Sequence, residues 1–77
     1  MALTVEFTIE PFVDGAPGPH VRAAVEAAER SGLAVDFGPF GTTVAGDDEA
    51  VLSAVDSILR AAVAAGATRV SLQVAKA

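Results

Sequence analysis

The chain contains no cysteine and no asparagine, one histidine, and phenylalanine as its only aromatic residue type. Without cysteine there is no disulfide framework, no thiolate zinc or iron–sulfur ligation and no thiol nucleophile. A single histidine, His20, rules out a multi-histidine metal site, so no metal or catalytic cofactor is expected. Basic residues are scarce: five against ten acidic ones, for a formal net charge of −5. That balance opposes binding to a phosphate backbone and favours a cationic partner. Long apolar runs are missing too. The longest alanine- and valine-rich stretch, Ala61 to Ala67, falls far short of the ~20 residues a membrane span requires. The opening residues Met1 to Glu6 carry no basic segment followed by an apolar one, so no signal peptide is expected and the expected location is cytoplasmic.

What is present is patterned. At 77 residues the chain is expected to form one domain over 1–77, of a size that buries only about 60% of its unfolded surface, so oligomerisation would help it. Leu3, Val5, Phe7 and Ile9 alternate with Thr4, Glu6, Thr8 and Glu10, the period of a half-buried strand that Pro11 ends. Phe12 to Gly18 reads as a loop. Pro19 suits the first turn of a helix whose inner face carries Val21, Ala24, Val25 and Ala28. Arg22, Glu26 and Arg30 form the outer face, and Ser31-Gly32 closes the helix. Ala34 to Phe37 and Thr42 to Ala45 read as two strands joined by Gly38-Pro39-Phe40-Gly41, with Gly46 ending the second. Asp47 is placed as N-cap of a second helix carrying Val51, Val55, Ile58, Leu59 and Ala62, terminated by Gly66. Val70, Leu72 and Val74, alternating with Ser71, Gln73 and Ala75, complete a fourth strand.

The order β-α-β-β-α-β predicts an α+β, ferredoxin-like sandwich: a four-stranded antiparallel sheet with both helices on one face. Three functions carried by such folds fail on composition. An acylphosphatase-type site needs asparagine, a metallochaperone needs paired cysteines, and an RNA-recognition sheet needs open-face aromatics in a basic setting, whereas Phe7 sits with the buried set. Catalysis lacks a candidate group: His20 is placed at a helix start, and Glu6 and Glu10 would lie ~13 Å apart along one strand. The uncovered sheet face is instead hydroxyl-rich. Glu6, flanked by Thr8 and facing Thr42, Thr43 and Ser71, could hold a small cationic or amine-bearing ligand, with Phe37 or Phe40 offering an aromatic face. The competing reading is a ligand-free structural module acting through homo-oligomerisation.

The motifs Glu6-Phe7-Thr8-Ile9-Glu10-Pro11, Gly38-Pro39-Phe40-Gly41-Thr42-Thr43-Val44-Ala45-Gly46 and Arg69-Val70-Ser71 resemble the thiamine-binding domain family. The resemblance implies a ferredoxin-like fold, assembly into homodimers or homotetramers, and non-enzymatic binding of thiamine or its hydroxymethylpyrimidine part in the cytoplasm. On matching positions it implies Glu6, Pro39, Gly41, Thr42, Thr43 and Ser71 as ligand-binding residues. Thr8 and Phe40 join them from the reading of the face and the loop.

Overall fold

Alternation in the first strand governs the architecture. In the computed structural model, which describes residues 1–11, 18–38 and 41–76, β1 (Ala2–Glu10) buries Val5, Phe7 and Ile9 on one side and turns Glu6 and Glu10 outward. The other elements are α1 (Pro19–Arg30), β2 (Ala34–Phe37), β3 (Thr42–Asp47), α2 (Asp48–Ala64) and β4 (Arg69–Lys76). The sheet order is β2-β3-β1-β4, with every neighbouring pair antiparallel. This is the ferredoxin-like arrangement expected from the element order. β1, the longest strand, and β3 are central, which places the β-branched and aromatic residues of β1 where pairing is two-sided.

Both helices lie on the side of Val5, Phe7 and Ile9. α1 packs against β1 and β2, α2 against β1 and β3, and the helices against each other. Their inner faces are mostly alanine: Ala24, Ala27 and Ala28 from α1 meet Ala54 and Ala62 from α2, with Val21, Val51 and Ile58 between them. Small residues let the helix axes approach closely, leaving the sheet to supply most of the bulk, above all Phe7.

Element ends have identifiable causes. α1 begins at Pro19, whose missing N–H is one of the helix's unsatisfied donors anyway. The ring of His20 donates through Nε2 to the Pro11 carbonyl, tying the start of α1 to the end of β1. Asp47 holds the N-cap position of α2 in extended conformation, but its side chain makes no capping bond; Asp48 Oδ1 accepts from the Glu49 N–H at 2.9 Å instead. Gly46 does not end β3. The strand continues to Asp47, and a Cβ at Gly46 would lie 2.6 Å from Leu33 Cδ2. The glycine is there for side-chain packing across the β2–β3 pair, which local sequence cannot reveal. Of the loop expected at 12–18, Gly18 is the N-cap of α1 and residues 12–17 lie outside the described residues.

Gly32 and Gly66, after α1 and α2, have φ of 78° and 103°. A Cβ at either would meet nothing within 4 Å, so substitution tests backbone conformation alone. Gly66→Ala is expected to cost about 1–2 kcal/mol, and Gly32→Ala less, because its φ lies nearer the left-handed well. Urea unfolding midpoints of the two variants measure both costs.

Candidate functional site

Antiparallel register decides which side chains meet on the uncovered face. Directly paired residues share a face. Asp36 pairs with Thr43, Thr43 with Glu6, and Glu6 with Gln73, so these four form one row across all four strands. One step further along β1, Thr8 pairs with Ser71. On the other side of Thr8 stands Gly41, where an added Cβ would lie 3.4 Å from Thr8 Cγ2, 3.6 Å from Glu6 Cγ and 3.3 Å from the Phe7 carbonyl oxygen. The missing side chain therefore leaves open the space flanked by Glu6 and Thr8.

Two rows frame this strip. Toward the start of β1, Thr4 pairs with Ala45 and Ala75, and Ala45 with Ala34. Their short side chains form a low shelf beside the taller polar row. Toward the end of β1, Glu10 pairs with Arg69, Nε lying 4.0 Å from Oε2, and the Glu10 carbonyl accepts from both the N–H and the hydroxyl of Thr68. Glu10 is thus committed to local structure. Among the described residues, Glu6 and Asp36 take part in no ion pair.

The hairpin that carries Gly41 is closed by the Gly38 N–H, which donates to the Gly41 carbonyl at 2.9 Å. Of the residues expected in the site, Glu6, Thr8, Gly41, Thr43 and Ser71 are brought together on the open face. Pro39 and Phe40 lie outside the described residues. Thr42 is not with its neighbour: it pairs with Phe7 and Phe37 and is 4% exposed on the helix side. Consecutive strand residues point to opposite faces, so two adjacent threonines cannot both present hydroxyls to one ligand. Phe37 follows Thr42 to the helix side and is half exposed near Val21 and Val25 of α1, so it offers no aromatic wall to Glu6. Asp36 and Gln73 complete the polar row; the alternation of β4 signals Gln73, whereas the pairing of Asp36 with Thr43 is what places Asp36 there.

Chemically, the strip offers two carboxylates ~10 Å apart, two strand spacings, with a hydroxyl between them and further hydroxyl and amide groups around. Carboxylates accept only, while hydroxyls and the amide of Gln73 both donate and accept. A flat heterocycle with an amino group and ring nitrogens matches that set. A second concavity of about 400 Å³ lies between the helices, lined by residues including Arg30, Ser31, Ser53 and Ser57. The Ser31 hydroxyl there already donates to the Ala28 carbonyl. Among the described residues no group of three or more histidine, cysteine or acidic side chains could hold a metal ion, and no helix is long and apolar enough to cross a membrane.

An antiparallel sheet covered on one side and presenting a polar strip on the other defines an α+β sandwich with a surface suited to small polar ligands. The chain belongs to the family described as thiamine-binding protein, whose model matches residues 5–75. The domain of unknown function DUF77 from Bacillus cereus has a similar structure, with 27% identity and a TM-score of 0.72 over 96% of this chain and 72% of the other. A Methanocaldococcus jannascii protein is similar at 24% identity and a TM-score of 0.70, covering 95% of this chain and 75% of its own. A Thermotoga maritima protein proposed to act in thiamine biosynthesis or salvage shares the fold at 24% identity and a TM-score of 0.59, over 97% and 81% of the two chains. No curated protein sequence matches the chain.

Proposed function

We propose that the protein binds thiamine or a related hydroxymethylpyrimidine in the cytoplasm, without catalysing a reaction on it. The observation that carries this reading is the polar row Asp36, Thr43, Glu6 and Gln73 with the opening left by Gly41 beside it. Membership in a family described by thiamine binding supports it. Glu6 accepts from the pyrimidine amino group, while Thr8, Thr43 and Ser71 bond the ring nitrogens and hydroxyl. Thr42 acts through packing, holding Thr43 in register against Glu6. The thiazolium cation of thiamine gains from the acidic surroundings, which the neutral pyrimidine does not.

Calorimetric titration with thiamine and with hydroxymethylpyrimidine tests the reading. Heat of binding and a rise in Tm are expected with thiamine, and a weaker response with the neutral pyrimidine. Glu6→Gln keeps the shape and removes the charge. A hydrogen bond to a charged group contributes about 1.5–3 kcal/mol, so the variant is expected to bind about 10- to 100-fold more weakly. Absence of both heat and Tm shift at millimolar thiamine rejects the proposal.

A further inference from the structure

Charge is divided unevenly between the two faces of the sheet. Of the five basic residues, Arg22 and Arg30 belong to α1 and Arg60 to α2, and Arg30 and Arg60 pair with Glu26 and Asp56 of their own helices. Lys76 pairs with Leu3 in the register of β4 against β1, which puts it on the helix side with Val5 and Phe7. Arg69 is thus the one basic side chain of the open face, and it lies 4.0 Å from the carboxylate of Glu10 at the end of β1. Four acidic residues share that face: Glu6, Glu10, Asp36 and Asp47, the last through its pairing with Ala2, which alternates in step with Thr4.

Asp36 is the member of this set without a local task. Glu10 is held by Arg69, and Asp47 stands at the start of α2, where the helix dipole favours a negative charge. Asp36 is exposed on β2. Ala34 and Ala45 flank it on one side, and on the other Gly41, to whose carbonyl the Gly38 N–H donates. None of these has a side chain long enough to reach the carboxylate. Arg69 is on the far edge of the sheet, three strand spacings or ~14 Å away, beyond the ~8 Å over which exposed charges act at physiological ionic strength. Aspartate is depleted from strands, so strand formation does not account for it. A charge on an edge strand discourages pairing with other chains, a role that lysine fills as well as aspartate does.

We infer that Asp36 holds the positive ring of the ligand and makes the strip select a cationic ligand over a neutral one. This rests on the proposed placement of an aminopyrimidine at Glu6 and gives that ligand a direction. From Glu6 the row runs two ways. Toward β4 come Gln73 and the edge strand that carries Arg69, whose guanidinium repels a cation. Toward β2 come Thr43 and then Asp36, with the bare backbone of Gly41 beside them. The two rings of thiamine are joined by a single methylene group. With the pyrimidine at Glu6, the thiazolium lies over Thr43, one strand spacing of ~5 Å away, and Asp36 is the next group in the row. A thiazolium nitrogen has no hydrogen to donate, so its attraction to Asp36 is coulombic, modest at a wet surface and weakened by salt.

Titration calorimetry of Asp36→Asn and Asp36→Lys with thiamine and with hydroxymethylpyrimidine tests this assignment. Asp36→Asn keeps the shape of the side chain and is expected to weaken thiamine binding by about three- to tenfold. Asp36→Lys keeps a charge on the edge strand but reverses its sign, and is expected to weaken thiamine binding further. Both variants are expected to leave the affinity for the neutral pyrimidine unchanged, whereas Glu6→Gln weakens both ligands, since both carry the amino group. Added salt is expected to weaken thiamine binding to the unaltered protein more than to Asp36→Asn. If Asp36→Asn binds thiamine as tightly as the unaltered protein, or loses both ligands by the same factor, Asp36 is not the cation's partner and the inference falls while binding at Glu6 stands. If the unaltered protein binds neither ligand, the proposed function itself fails and the inference falls with it.

Discussion

Phe7→Ala is expected to leave the protein largely unfolded at 25 °C. Phe7 is 2% exposed at the centre of the core, the largest fully buried side chain among the described residues. Truncating a buried phenylalanine to alanine costs about 3–5 kcal/mol, part lost transfer energy and part the cavity left behind. Most of a domain's net stability, typically about 5–15 kcal/mol and toward the low end for a chain this small, would be lost. The usual remedy, inward collapse of neighbours, is limited here. The facing helix surfaces are mostly alanine, at 24, 27, 28, 54 and 62, and only Val21, Val51 and Ile58 carry side chains long enough to relax toward the gap. Phe37→Ala is the matched comparison. Phe37 lies on the same face but is half exposed, and its loss is expected to cost less than about 1.5 kcal/mol, in proportion to the smaller area it buries. Urea unfolding of both variants checks this. Similar costs for the two would mean that aromatic packing at the hairpin, rather than burial at β1, dominates the fold.

The same asymmetry between the faces of β1 explains how much of the fold is legible in the sequence. Period-two alternation from Leu3 to Ile9 assigns the buried and the open sides correctly, because a strand buried on one face records that fact in every second residue. Helix starts and stops follow equally well from Pro19, Gly32 and Gly66, where the backbone itself imposes the choice. Failures occur where the cause lies elsewhere in the chain. Gly46 looks like a strand terminator, yet it sits inside β3 to make room for Leu33. Leu59 scans as core at helical spacing but lies on the bare flank of α2, because α2 settles over β1 and β3 rather than β4. In the candidate site, Thr42 and Thr43 look like one motif and occupy opposite faces. The alternation that places Glu6 outward already forbids treating them as a pair. Asp36 is the converse case: its strand is too short for a pattern, and only pairing with Thr43 reveals that it joins the row of Glu6.

Gly41→Val is expected to abolish ligand binding while the protein stays folded. Gly41 directly precedes β3, and valine suits extended structure. Its Cβ would stand 3.3 Å from the Phe7 carbonyl oxygen, a close contact that the hairpin end can relieve by a few tenths of an ångström. Strain of about 1 kcal/mol corresponds to a fall in Tm of about 4–8 °C for a domain of this size. The two methyl groups, however, would project into the space between Thr8 Cγ2 and Glu6 Cγ, which lie 3.4 and 3.6 Å from the Cβ position. A heterocycle then has to give up its approach to the Glu6 carboxylate, and with it the charge-assisted bond on which the reading rests, together with van der Waals contact to the shelf. Gly41→Ala adds only the Cβ and is expected to fall between. Ser57→Val separates this site from the cavity between the helices, which it lines: that variant is expected to bind thiamine as the unaltered protein does. If Ser57→Val weakens binding and Gly41→Val does not, the ligand sits between the helices and the open sheet face is merely the wet side of the fold.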